Sequence, residues 1–389
     1  MGSADMGSGD LDTGAFLAAA CDLLAVPSVS DRPAELHRAL DFVLAFTAGP
    51  GTGPGFTVER FESGGKPSAL LYASPSRPGR FGVVLNAHLD VVPALADQFR
   101  PRRDANLLYA RGAQDMKVTG LVQSLVFSEL AGSLPYPLGL QLVTDEEVGG
   151  RDGTLHQLEQ GVSSEFVIIG ETSGLQIVTE SKGILRLNLI ARGKGAHGAY
   201  PWLGDNALLK LNRTVDKLLT RYPVPAGEQW RTTVNLASVS TANQARNQVP
   251  ADAEAWLDIR FPAADPDLYG ATREQVTAYL QGFCEHGVTA VVATADQPHR
   301  ARLDSVEIDA LRRAARAQGY SGDFLRKHGS GDSRFYGERG MNSVAFGTGG
   351  AGQHGPDEYV DVTTIGPYYQ ALRAFLLDPA LRDPAVRGG

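Results

Sequence analysis

Apolar residues fall along this chain in two alternating rhythms. A stripe at helical spacing (Phe16, Leu17, Ala20, Leu23, Leu24) follows Asp12 and Thr13, either of which can cap a helix. A second helix is predicted over 33–46 and stops in the Gly/Pro-rich turn at 49–55. Short apolar runs then predict strands at 56–61, 68–73, 82–86, 107–110, 138–144 and 166–170, with helices at 118–130 and 153–160 among them. Strands alternating with helices mark an α/β fold with a largely parallel sheet.

The rhythm changes near Ser181. Residues 184–191 (ILRLNLIA) alternate apolar and polar, as a half-exposed strand does. Helix 206–219, strands 232–240 and 253–260, helix 272–283 and strand 288–293 follow. This β-α-β-β-α-β order predicts a ferredoxin-like α+β domain. The first rhythm then resumes with helix 305–317, strand 343–346 and helix 363–376. The expected organisation is an α/β domain in two parts, 11–180 and 296–380, interrupted by a smaller domain at 181–295. Tails at 1–10 and 381–389 are expected to be disordered.

Composition narrows the function. With 389 residues, 43% hydrophobic and 21% charged, the chain can bury a substantial core. A formal net charge of −8 and the lack of a basic run argue against nucleic acid or an anionic membrane as partner. No apolar run approaches the length of a membrane span. Cys21 and Cys284 lie far apart in apolar-patterned segments, which predicts buried thiols and a reducing, cytoplasmic setting. The N-terminal MGSADMGSGD has neither the basic nor the apolar region of a signal peptide.

Candidate chemistry gathers at strand ends. The buried run Gly82-Val83-Val84-Leu85 leads into Asn86-Ala87-His88-Leu89-Asp90, where His88 and Asp90, two apart, share a face. A carboxylate beside a histidine can fix its tautomer for metal binding. One such pair is ordinary, and so is one acidic loop residue. Here Asp115, the adjacent Glu146 and Glu147, Glu171, and His354 in a Gly-rich loop also follow predicted strands. Ligands collect at the carboxyl ends of strands in open α/β sheets. Two imidazoles with several carboxylates suit zinc or a similar divalent ion, and an odd carboxylate can bridge two of them. Of two neighbouring glutamates, one can bind metal while the other stays free as a base.

With these motifs together, the chain resembles the M20 family of metallopeptidases and amidohydrolases, which includes acetylornithine deacetylase, succinyl-diaminopimelate desuccinylase, aminoacylase and glutamate carboxypeptidase relatives. The likeness is carried by His88-Leu89-Asp90-Val91-Val92-Pro93, Arg111-Gly112-Ala113-Gln114-Asp115-Met116-Lys117, Asp145-Glu146-Glu147, Gly170-Glu171-Thr172, and His354 ahead of Asp357-Glu358-Tyr359-Val360. It continues in the inserted domain at Ala196-His197-Gly198-Ala199-Tyr200-Pro201, Asn247-Gln248-Val249-Pro250 and Asp258-Ile259-Arg260, and returns at Gly331-Asp332-Ser333-Arg334-Phe335.

The resemblance implies a zinc-peptidase-like catalytic domain with a mostly parallel sheet, interrupted by a ferredoxin-like lid that also forms a homodimer. It implies two divalent metal ions, zinc first, with cobalt or manganese as alternatives. Asp115 would bridge them, His88 and Glu171 would complete one site, and Glu147 and His354 the other. Glu146 would be the general base, Asp90 would orient His88, and His197 of the lid would serve the scissile carbonyl. Asn247, Arg260 and Arg334 would hold a substrate carboxylate, which an arginine fork suits. The implied reaction is hydrolysis, by a metal-activated water, of a small amide with a free carboxylate, an N-acyl amino acid or a dipeptide. A carboxypeptidase acting on longer peptides is the alternative. A catalytically silent, peptide-binding relative would have lost a ligand or the base, and here all five ligand positions and Glu146 are filled. Two departures bear on substrate identity. The stretch 94–104 reads ALADQFRPRRD where the family often has Trp and Pro-Phe, and Gly198-Ala199-Tyr200 follows His197 where Ser or Arg is common.

Overall fold

A computed structural model of the chain describes residues 11–49 and 55–381; the predicted tails at 1–10 and 382–389 lie outside them. Leu381, which the sequence reading assigned to the tail, is instead fully buried at the end of a short 3-10 helix, Pro379–Leu381, and belongs to the main core. The chain divides into two compact units. One comprises residues up to Thr179 together with Ala301–Arg326 and the segment from Gly331; the other comprises Glu180–Arg300 and Lys327–Ser330.

The sheet of the first unit runs in the order Thr57–Ser63, Lys66–Tyr72, Leu138–Val143, Phe81–His88, Ser164–Ile169, Asn342–Ala345, Ile177–Ser181. Its four middle strands, from Leu138–Val143 to Asn342–Ala345, are parallel, and the strands flanking them pair antiparallel. The Phe81–His88 strand is buried along its whole length, which is why it reads as a continuous apolar run. Val83, Leu85 and Ala87 face helices Thr13–Leu24, Pro33–Ala48, Lys117–Leu130, Val306–Ala317 and Ile365–Leu376. Val84 faces the other way, into a smaller core with Val167, Ile169, Phe335 and Tyr336. Asp12, rather than Thr13, caps the first helix, accepting from the amides of Gly14 and Ala15.

Two features differ from the expected elements. The segment predicted as a helix at 153–160 is a π turn, Arg151–Leu155, running into one α turn, His156–Glu159. A small antiparallel sheet also forms, in which the predicted strand at 107–110, observed as Leu107–Tyr109, is joined by three strands that were not predicted, Gly350–Ala351, Tyr359–Asp361 and Arg102–Asp104. Strands of two or three residues are too short to show a period in the sequence.

The second unit is a four-stranded antiparallel sheet in the order Thr233–Ser240, Asp252–Phe261, Gly183–Arg192, Val288–Asp296. With helices Ala207–Arg221 and Arg273–Gln281, this is the ferredoxin-like arrangement. Leu185, Leu187 and Leu189 pack with Leu211, Val215 and Leu218 of the first helix and with Val276 and Leu280 of the second.

Candidate metal centre

The parallel strands deliver the site. Phe81–His88 ends on His88, Leu138–Val143 leads to Glu146 and Glu147, and Ser164–Ile169 leads through Gly170 to Glu171. These three strands are neighbours, so their carboxyl ends share one edge. Asp115 precedes helix Lys117–Leu130, and His354 lies in the turn between Gly350–Ala351 and Tyr359–Asp361.

The predicted ligands converge in two groups, His88 with Asp115 and Glu171, and Asp115 with Glu147 and His354. Asp115 belongs to both, and its two oxygens divide between them. Oδ1 lies 2.9 Å from His88 Nε2, and Oδ2 lies 3.2 Å from His354 Nε2. His88 Nε2 is 3.5 Å from Glu171, and His354 Nε2 is 3.1 Å from Glu147. Tetrahedral zinc with bonds of ~2.0–2.2 Å sets ligand atoms about 3.3–3.6 Å apart. The His88–Glu171 distance falls in that range, while the other three, at 2.9–3.2 Å, are hydrogen-bond distances that would open by a few tenths of an ångström around an ion; the nitrogen/oxygen donor set suits borderline divalent ions.

The same groups perturb one another electrostatically. Burial opposes a charge on His88, but its bonds to Asp115, Asp90 and Glu171 outweigh this and hold its pKa well above the usual imidazole value. Asp115 and Glu147 raise His354 to about 10. Burial pushes Glu146 well above the carboxylate range, with Asp332, Glu171 and Asp115 adding to the effect and His88 opposing it.

Asp90 has a wider role than the sequence reading gave it. His88 Nδ1 is 3.1 Å from the main-chain carbonyl of Asp90 and 3.5 Å from its carboxylate. The carboxylate accepts from the amides of Glu146 at 3.2 Å and Glu147 at 3.1 Å, and from Ser30 Oγ at 3.2 Å. One buried side chain thus ties the His88 strand to the glutamate loop. The far side of that loop is fixed by Gly150, whose φ is +66° and whose position would put a Cβ 2.1 Å from Asp332 Oδ1. Lys117 was also missed; its amine donates to the Val26 carbonyl at 2.7 Å, and burial lowers it to about 7 against the pull of Asp90 and Glu358.

Arg334 departs from its expected use. It is buried, and its two terminal nitrogens donate to the carbonyls of Gly331 and Gly149, each at 2.7 Å. In this structure it is a strut against the glutamate loop. The remaining candidates lie in the second unit. His197 pairs in register with Gln248, and the carbonyl of Asn247 accepts from Gly198 at 2.6 Å, so Asn247 flanks the two-stranded ribbon that carries His197. The amide of Ala199 donates to His197 Nδ1 at 3.1 Å, which leaves the ring proton of the neutral imidazole on Nε2. Arg260 sits on strand Asp252–Phe261 with its guanidinium on Asp258.

Two imidazole–carboxylate groups that share one aspartate at a strand edge form a candidate metal centre. The profile of Peptidase family M20/M25/M40 matches residues 84–378, and the chain belongs to that family. A probable carboxypeptidase of Emericella nidulans is 31% identical over 283 residues, covering 66% of this chain and 65% of that protein. The chain spans about two thirds or less of the length of the curated relatives it matches. Among solved structures, a tripeptidase of Staphylococcus aureus superposes with a TM-score of 0.76 at 16% identity, over 95% of this chain and 98% of that one. A dinuclear metal-binding M20 peptidase of Bacillus subtilis superposes with a TM-score of 0.64 at 15% identity, over 94% and 97%. These likenesses establish the fold. Among the described residues no helix is long and apolar enough to cross a membrane.

Proposed function

We propose that the chain is a metal-dependent hydrolase of peptide or related amide bonds, acting on small substrates with a free carboxylate. The observation that carries this reading is the division of Asp115, one oxygen toward each imidazole. Zinc is the first choice of ion, with cobalt or manganese as alternatives. When bound, paired cations supply Lewis acidity and make water a nucleophile near neutral pH. The protein's own part falls to Glu146, which takes the proton of the attacking water and returns it to the leaving nitrogen. Asp90 keeps Glu146 in place through the loop amides. His197 presents an Nε2–H, the kind of donor a developing oxyanion needs. Its part in catalysis, and the roles of Asn247 and Arg260 on the substrate carboxylate, rest on the family resemblance.

The named activities of the relatives support a peptide substrate, and the choice between dipeptides, N-acyl amino acids and longer peptides is open to direct test. Zinc- or cobalt-loaded protein should cleave at least one of these classes in a screen of N-acetyl and N-succinyl amino acids, dipeptides and carboxy-terminal peptides. Chelation should abolish that cleavage, and added metal should restore it. Cleavage indifferent to chelator would overturn the reading.

We also propose a homodimer through the second unit. Strand Thr233–Ser240 is an edge of its sheet and is exposed from Asn235 to Ser240, including Leu236 and Val239. Edge strands left open in this way invite pairing. Sedimentation at micromolar concentration should give twice the chain mass, and Val239→Lys should shift it toward monomer. A wild-type chain that sediments as a monomer would refute the dimer.

A further inference from the structure

His354 is the ligand that packing supports least. Its side chain is 49% exposed, against 1% for His88. Its φ of +61° lies in the left-handed region, which residues other than glycine rarely adopt. Its position must therefore be held by directed bonds, and the structure supplies a set of them. Arg111 Nη2 donates to the carbonyls of His354 at 3.1 Å and Gly355 at 3.2 Å. Gln98 donates to the carbonyls of Gly355 at 3.0 Å and Pro356 at 3.3 Å, while its own carbonyl accepts from the Arg111 amide at 2.8 Å. Gln98 falls within 94–104, the stretch that departs from the family pattern. At its other end Arg111 bonds to the Glu358 carboxylate through Nη1. Glu358 Oε1 in turn accepts from the amides of Gln114 at 3.0 Å and Asp115 at 3.1 Å. Arg111 and Glu358 are both buried.

We propose that Arg111, Glu358 and Gln98 form a brace that positions the His354 side of the metal centre separately from the His88 side. His88 is set by its own strand and by Asp90. The His354 turn is set by carbonyl bonds from Arg111 and Gln98, with Glu358 anchoring Arg111 and the shared Asp115 loop. None of the three touches the reacting atoms, so they are positioning residues. The inference rests on the two-metal reading above.

The test is cobalt titration of the metal-free protein, following the visible spectrum of bound cobalt and the heat of each binding step. Removing Arg111 alone would strand a buried carboxylate, so the informative variant is R111M/E358Q, which leaves no unpaired buried charge and keeps an oxygen for the Asp115 loop amides. One of the two binding steps should weaken about 10–100-fold, the usual effect of losing a partner behind a metal ligand, while the other holds. That step should be the one His354→Ala removes. Gln98→Ala, at a half-buried position of the short 3-10 helix Ala96–Phe99, should weaken the same step less and leave the metal-free protein folded, as its melting curve will show, which keeps the test open if the double variant does not fold. If wild type binds two ions and the variants keep both steps, or lose both equally, the brace is overturned alone. If wild type binds fewer than two, the two-metal reading and the brace both fall.

Discussion

Glu146→Gln is expected to lower hydrolysis by about 10²–10⁴-fold, the usual worth of a general acid–base group, and to leave metal content and melting temperature at wild-type values. The separation is possible because the loop holding Glu146 is fixed through its backbone. The amides of Glu146 and Glu147 bind Asp90, and Arg334 holds the Gly149 carbonyl. Gln keeps the shape of Glu and loses only the site that accepts the proton. Glu146 also lies outside both ligand groups, so no metal is lost with its charge. Steady-state rates on the best substrate of the screen, measured beside elemental analysis of the same preparation, check both halves. A variant that kept most of its activity would show that the base is another group. One that lost its metal would make Glu146 a ligand.

Asp115→Ala should have the broader effect. The aspartate is common to both groups, so its loss removes a ligand from each ion at once, whereas His354→Ala removes one from a single ion. The variant should hold little metal after dialysis and show no measurable turnover. Wild type gains about 2.7 kcal/mol of stability at a metal concentration a hundredfold above Kd, and the variant should lose that gain. Melting curves with and without zinc read this directly: the wild-type midpoint should rise with zinc, and that of Asp115→Ala should not. A variant retaining one tightly held ion and a zinc-dependent rise would show that Asp115 serves one site only.

The elements that position the ligands were legible because they are strongly patterned. The Phe81–His88 strand is buried on both faces and reads as a β-branched run, and the inserted unit alternates cleanly on its strands. The ligands themselves showed as polar residues breaking those patterns at strand ends. What stayed hidden depends on partners distant in the chain. Arg111 and Glu358 meet across 247 residues, and no local pattern links them. The bonds from the Asp90 carboxylate to the Glu146 and Glu147 amides depend on a loop conformation that periodicity does not describe. The substrate role of Arg334 comes from the family resemblance, and its bonds to two carbonyls are set by tertiary packing that no local pattern describes. Gly150 gave no signal either, because the space that a Cβ would need there is taken by Asp332, far along the chain.

The measurement that bears most directly on the central claim is the number and spacing of metal ions in the wild-type protein, read from anomalous scattering of zinc-loaded crystals. Two peaks about 3.5–4 Å apart, one beside each oxygen of Asp115, are the predicted result. A single peak, or two that do not share Asp115, would contradict it.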